Sequence, residues 1–327
     1  MAVGDTLPHC TGTGTSADPY KYSTAEGFKE AVAVADAYVE AAESNLVFDV
    51  NDGVLSNTLV ITCYSLNGKG TTIRNLYLTS SGNIITFANG NKNYIVSNMN
   101  FYNMLAVFTT SGTWIRFIAW NNNDHNTRNL YNCNFTGIVR GSVINYHDGI
   151  ILNLGNSYTR EYQEVKNCTF NFNVQGTSTG IGSGCALFYV NSSYLHFINC
   201  TFAISGTFNY DLPIIDTADV DNCTFINKVT NPIVMTGGNR VIGIYMRNAN
   251  YNYVKFYVTC SNTVSMNFAT NGNGARTLVN RSRIDNMTIT SGSTCISMQE
   301  DDSTQSDYIY DAQNLANAGF LVGTVVE

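Results

Sequence analysis

Short runs of alternating apolar and polar residues recur along most of this chain, and seven of them are copies of one pattern. In residues 165–170, Val-Lys-Asn-Cys-Thr-Phe, an apolar residue, any residue and Asn precede Leu, Met or Cys. Any residue and an aromatic or branched apolar residue complete the pattern. The other copies occupy residues 73–78, 96–101, 130–135, 197–202, 220–225 and 284–289. Residues 251–256 form a degenerate copy, with Tyr253 in place of Asn. The Asn residues are Asn75, Asn98, Asn132, Asn167, Asn199, Asn222 and Asn286, at gaps of 23, 34, 35, 32, 23 and 64 residues. After the Asn, Cys168 and Phe170 fall on one face and Thr169 and Asn171 on the other, which is strand periodicity. Val165 and Lys166 end a second short strand. The Asn between them marks a bend, because Asn tolerates the left-handed conformation a bend needs.

A repeat of this length predicts a stacked array. Equivalent residues then form columns. One column is an Asn ladder bonded amide to amide. A second holds Leu76, Met99, Cys133, Cys168, Cys200, Cys223 and Met287. A third holds Leu78, Phe101, Phe135, Phe170, Phe202, Phe225 and Ile289. These residues resemble a right-handed parallel β-helix over roughly residues 45–300. The expected fold is all-β, a single-stranded parallel solenoid with an N-terminal α-helical cap. Residues 1–44 make the lead-in and capping helix, 45–300 the β-helix and 301–327 the C-terminal cap or tail strand. An antiparallel sandwich with chance Asn-Cys repeats is the alternative, and seven in-register copies disfavour it.

A solenoid end exposes core and strand edge and needs a cover. Residues 23–42 are expected to supply it as a helix, with Ser23 and Glu26 as a capping box and Phe28, Val32, Ala35 and Val39 as its apolar stripe. The preceding stretch, 11–19, is rich in Gly, Thr and turn residues. It is similar to the Gly-Thr-Gly…Asp-Pro-Tyr openings of viral and surface β-helix proteins. At the other end, residues 319–326 are apolar and β-prone. They are expected to close the last coil or to pair with another subunit.

Charged residues are only 13% of the chain, against about 25% in ordinary soluble domains. Uncharged polar residues and 20 Tyr replace them, a composition suited to a rigid virion or extracellular surface. A net charge of −7 with no basic run argues against a nucleic-acid partner. No stretch is long and apolar enough to span a membrane, and residues 1–10 lack the pattern of a signal peptide. The nine Cys include four in one inward column. They read as small buried hydrophobes, reduced and not metal-binding. No metal or cofactor is expected.

Candidate chemistry is sparse. If the chain is an enzyme, the first residues to consider are Asp216 and Asp221, which flank a strand turn, then Asp124 and His147, each beside an acid or imidazole neighbour. A glycosidase needs two such groups about 5–9.5 Å apart, and no pair is convincing. Gly176-Thr-Ser178-Thr-Gly180 lacks the helix that a nucleophile elbow requires. Surface Tyr is the stronger signal, with Tyr162, Tyr194, Tyr251 and Tyr253 as binding candidates for sugar stacking or a protein interface.

The resemblance extends to bacteriophage virion surface and tailspike-type proteins. It implies a structural component of the particle, as capsid decoration, head fibre or tail appendage, acting by rigid attachment. The alternative it implies is a tailspike-like depolymerase of host surface glycans. Expected partners are the chain itself as a homotrimer, other virion proteins and host surface glycans.

Overall fold

The structure, a computed structural model, describes residues 1–87, 94–109, 113–120, 128–141, 148–154, 163–176, 186–191, 195–207, 212–216, 219–229, 244–247, 250–252, 255–260, 267–269, 278–280, 283–289 and 321–322. Strands dominate these residues, with a single α-helix, Ala25–Val32, among them. Burial alternates along strands such as Gln163–Lys166 and Leu195–Ile198, with Gln163 a polar residue at a buried position.

Among the described residues, two hydrogen-bonded sheets contain 20 and eight strands. The larger holds two stacks. One begins at Tyr20–Tyr22 and Tyr38–Ala41. It runs through Arg128–Tyr131, Gln163–Lys166, Leu195–Ile198 and Asp219–Asp221 to Asn250–Asn252 and Leu278–Asn280. The other begins at Val47–Asp49. It runs through Asn134–Gly141, Thr169–Gly176, Thr201–Thr207, Thr224–Val229 and Lys255–Cys260 to Arg283–Ile289 and Leu321–Val322. The long strands Ser65–Arg74 and Tyr94–Phe108 contribute to both stacks. The eight-stranded sheet runs in chain order from Leu59–Ile61 and Gly82–Phe87 to Ile244–Arg247 and Asn267–Ala269. All these pairings are parallel; Cys10–Thr11 against Tyr20–Tyr22 is antiparallel.

The core lies between the stacks. Phe101, Phe135, Phe170 and Phe202 stack ring on ring, with centroids 5.1, 5.2 and 5.2 Å apart and planes within 8°. Cys133, Cys168, Cys200 and Cys223 form the neighbouring buried column, none of them in a disulfide. Each Sγ lies 3.1–3.7 Å from a carbonyl oxygen of the preceding copy, at Val96, Leu130, Val165 and Phe197 respectively. Burial pushes the Cys133 and Cys200 thiols up. The column continues upward through Met99 to Thr71, not Leu76. Thr71 is fully buried and accepts a hydrogen bond from the Tyr22 hydroxyl at 3.1 Å.

The N-terminal helix is shorter than the periodicity predicts. Thr24, not Ser23, caps it by accepting from the Gly27 N–H. It ends at Val32, and Val39 is buried from the strand Tyr38–Ala41 instead. Asp36, with φ of 66°, helps turn the chain between the two. Phe28 packs edge-on to Tyr22, 5.2 Å between centroids, and against Phe48 at 6.0 Å. Parallel pairing therefore starts at Tyr20, well before residue 45. Tyr20 itself is buried, and its hydroxyl donates to the carbonyls of Ala2 and Asp5. At Gly14, with φ of +76°, a Cβ would overlap that ring, which explains one glycine of the turn-rich opening. At the C-terminal end, Leu321–Val322 pairs with Arg283–Ile284 of the same chain.

Candidate functional site

The bends between the two stacks of the larger sheet carry the Asn ladder. Asn98, Asn132, Asn167, Asn199 and Asn222 all have φ between 51° and 55°. Each donates from Nδ2 to the side-chain oxygen of the residue one copy earlier. The distances are 2.9 Å for Asn98 to Asn67, 3.0 Å for Asn132 to Asn98 and 3.0 Å for Asn167 to Asn132. Asn199 reaches Asn167 at 3.1 Å and Asn222 reaches Asn199 at 2.8 Å. Asn67, which the motif missed, starts this ladder. It stands opposite Ser97, one residue out of step, and the bend there is made by Lys69 and Gly70 with φ of 46° and 88°.

Asn75 belongs to a different ladder. Pairing sets Ile73 opposite Phe101 and Arg74 opposite Tyr102. Asn75 therefore matches Asn103, whose Nδ2 donates to Asn75 Oδ1 at 2.6 Å. Asn75 in turn donates to Asp49 Oδ2 at 2.8 Å. That bond, then the Asn51 N–H, holds the Asp49 carboxyl below its usual range. Asp49 thus favours the fold at pH above the ordinary carboxylate value, and the contribution is lost as pH falls through its lowered value. Asn286 departs from the sequence assignment in the same way, because Ile284 pairs with Phe256 and not with Tyr251.

The strand Tyr94–Phe108 holds one residue more than its neighbour after the first bend. Phe101 faces Phe135, but Met104 faces Gly137, so Tyr102 and Asn103 oppose Thr136 alone. This is a β-bulge, a device that re-aims side chains. Asn103 takes φ of 55°, and its N–H donates to Thr136 Oγ1 at 3.0 Å. Tyr102 is turned outward and 55% exposed, with the Arg74 guanidinium 5.8 Å from its ring centroid. Such a cation–π contact is worth about 0.5–1 kcal/mol at an exposed site.

Around Tyr102 opens a cleft of about 240 Å³, lined by Thr72, Arg74, Asn100, Phe101, Tyr102, Asn134 and Thr136. Its amides are held in place. Asn100 Nδ2 donates to Gly70 O at 3.0 Å, and Asn134 Nδ2 donates to Asn100 Oδ1 at 2.8 Å. The lining offers one cation, one open aromatic face, amides and hydroxyls. This arrangement suits stacking and hydrogen bonding. Arg74 supplies the positive charge of this lining.

No family model, curated protein or solved structure matches this chain. Among the described residues, no three His, Cys, Asp or Glu are grouped to hold a metal. Nor, among the described residues, is any helix long and apolar enough to cross a membrane.

The three sequence candidates that the structure describes fall on different strands. Asp216 ends the strand Leu212–Asp216 of the eight-stranded sheet, while Asp221 ends Asp219–Asp221 in the larger sheet. Tyr251 is on the strand Asn250–Asn252. Asp124, His147, Tyr162, Tyr194 and Tyr253 lie outside the described residues. Strand register assembles another row that sequence reasoning did not find, with Glu164 opposite His196 and His196 opposite Asp219. Glu164 Oε2 accepts from the Tyr131 hydroxyl at 2.9 Å. Burial, then that bond, pushes Tyr131 up to about 12.

Proposed function

We propose that the three strand stacks are the faces of one right-handed parallel β-helix. It serves as a structural component on a bacteriophage particle surface, as capsid decoration, head fibre or tail appendage, working by rigid attachment and contact. The observation that carries this reading is the interleaved parallel pairing, fastened at its bends by the Asn ladder. A chain that visits three stacks in rotation, pairing only with the copy before and the copy after, is a coil. Parallel crossovers are right-handed in nearly all proteins. Each coil of such an array leans on its neighbours alone, which makes a stiff rod. Low charge and an uncharged polar surface favour a particle component.

Self-association into a homotrimer is part of this proposal, but its support is narrower than the sequence implies. The tail strand Leu321–Val322 already pairs within its own chain, so it needs no partner. What remains is the low surface charge and an exposed aromatic, Trp114.

A cryo-EM map and peptide mass spectrometry of purified particles test the setting. The chain is expected at regular positions on the particle. Its absence from intact particles overturns the reading. Light scattering of the purified protein is expected to give the mass of three chains; a stable monomer at micromolar concentration removes the trimer.

One observation favours the second reading, a tailspike-like depolymerase. Glu164 and Asp219 stand two rungs apart with His196 between them. Two rungs are about 10 Å of backbone, slightly more than the roughly 6.5–9.5 Å between carboxyl groups of an inverting glycosidase, so this reading requires the two side chains to lean toward each other. On that reading, host capsular or lipopolysaccharide glycans release oligosaccharides, and Glu164→Gln abolishes the release. On the preferred reading no oligosaccharide appears.

A further inference from the structure

We propose that the Tyr102 cleft, with the row of side chains leading away from it, is a binding track for a linear polysaccharide. This deepens the reading of the protein as a contact surface and rests on it.

The row comes from strand register. Thr72, Asn100, Asn134, Thr169, Thr201 and Thr224 occupy successive rungs of one line. All six are half-buried or exposed, and all are amides or hydroxyls. Rungs repeat at about 4.8 Å, so the surface presents an evenly spaced line of uncharged hydrogen-bonding groups. A repeating polymer rich in hydroxyls matches that line. Nucleic acid matches it less well, because phosphate binding needs a line of cations: these six rungs carry none, Arg74 is the one cation in the cleft lining, and register places Lys255 and Arg283 on the line only beyond Thr224.

An extended peptide is also disfavoured. Peptides are commonly captured by adding a strand to a sheet edge. The cleft opens on the face of a sheet, where backbone groups already bond to the strands on both sides. A ligand there meets side chains only.

The cleft supplies the anchor. Tyr102 offers an exposed ring on which the apolar face of a sugar can stack. Arg74, fixed against that ring, can hold a carboxylate or hydroxyls with its planar fork. The chain of bonds from Asn134 through Asn100 to the Gly70 carbonyl orients the amides before any ligand arrives. Less freedom is then lost on binding. The Thr136 hydroxyl accepts from the Asn103 N–H and keeps its own hydrogen to donate.

The test is an array of purified bacterial capsular and O-antigen polysaccharides, with a peptide array beside it. The full chain is expected to retain at least one polysaccharide and no peptide. Tyr102→Ala is expected to weaken that retention about tenfold. Arg74→Gln weakens retention of carboxylate-bearing glycans, while Tyr77→Ala, an exposed Tyr outside the cleft, leaves all retention unchanged. Far-UV circular dichroism checks that each variant folds; should Tyr102→Ala unfold, Tyr102→Gln replaces it. Retention of no polysaccharide, retention of peptides instead, or binding indifferent to both Tyr102 and Arg74 overturns the proposal. A protein present on particles that retains no glycan overturns this track alone. A protein that retains glycans but is absent from particles overturns the virion reading alone.

Discussion

Replacing Phe170 by Ala is expected to lower the unfolding free energy by about 3–5 kcal/mol, the range for deleting a buried aromatic side chain. Phe170 is fully buried, and its ring lies 5.2 Å from both Phe135 and Phe202 with planes within 7°. The loss has two parts, the apolar surface returned to water and the cavity left behind. The cavity cannot easily close. Thr169–Gly176 is bonded in register to strands on both sides, so the spacing of the neighbouring rings is set by the backbone. Phe170→Leu, which fills most of the space, is expected to cost less than about 1.5 kcal/mol beyond the lost ring contacts. The measurement is the urea midpoint by circular dichroism, with the slope compared between variants. A changed slope would mean that the array no longer unfolds as one unit. An unchanged midpoint for Phe170→Ala would contradict the stacked column.

The column was legible in the sequence because its positions repeat with the period of the chain. Cys133, Cys168, Cys200 and Cys223 share a place in the pattern, and register puts the Phe residues beside them on successive rungs. The pattern misassigned Asn75 and Asn286 for a physical reason. The strand Tyr94–Phe108 bends twice, at Asn98 and at Asn103, and both residues take a left-handed φ of 55°. An apolar residue, a gap, Asn and another apolar residue describe either bend. Only pairing across 28 residues, Asn75 with Asn103, tells them apart.

The helix ends sooner than its periodicity predicts, at Val32, for a related reason. Phe28, Val32 and Val39 are all buried, but the first two are buried by a helix and the third by a strand. Burial at a helical interval does not prove a continuous helix. The alternation of Tyr38-Val-Glu-Ala was the available sign of a strand.

The cleft at Tyr102 was hidden more deeply. Its lining comes from Ser65–Arg74, Tyr94–Phe108 and Asn134–Gly141. The cleft exists because one of these strands has an extra residue. The sequence does carry that signal. Phe101 and Met104 are separated by two residues, whereas Phe135 and Gly137 are separated by one. It can be read only after the register is known.

Asn167→Ala tests the ladder itself, and its expected cost is about 2–4 kcal/mol. Two independent losses are involved. Asn167 holds φ of 54°, a conformation that costs an ordinary residue about 1–2 kcal/mol and that Asn tolerates better. Its amide also donates to Asn132 Oδ1 at 3.0 Å and accepts from Asn199 Nδ2 at 3.1 Å. Each bond contributes about 0.5–1.5 kcal/mol net. The lower part of that range applies, because Asn167 is exposed and water can replace its partners. Asn167→Gly separates the two losses. Gly adopts the left-handed bend without strain but brings no amide, and its flexible unfolded state adds up to about 1 kcal/mol. Both variants should therefore destabilise, with Ala the worse if strain outweighs glycine's entropy. Urea midpoints for the two, measured beside Asn132→Ala as a second rung, decide the matter. Equal losses for Ala and Gly would mean that strain and flexibility cancel, leaving the amide bonds as the common term. No loss in either variant would show that the ladder follows the fold and does not help to hold it.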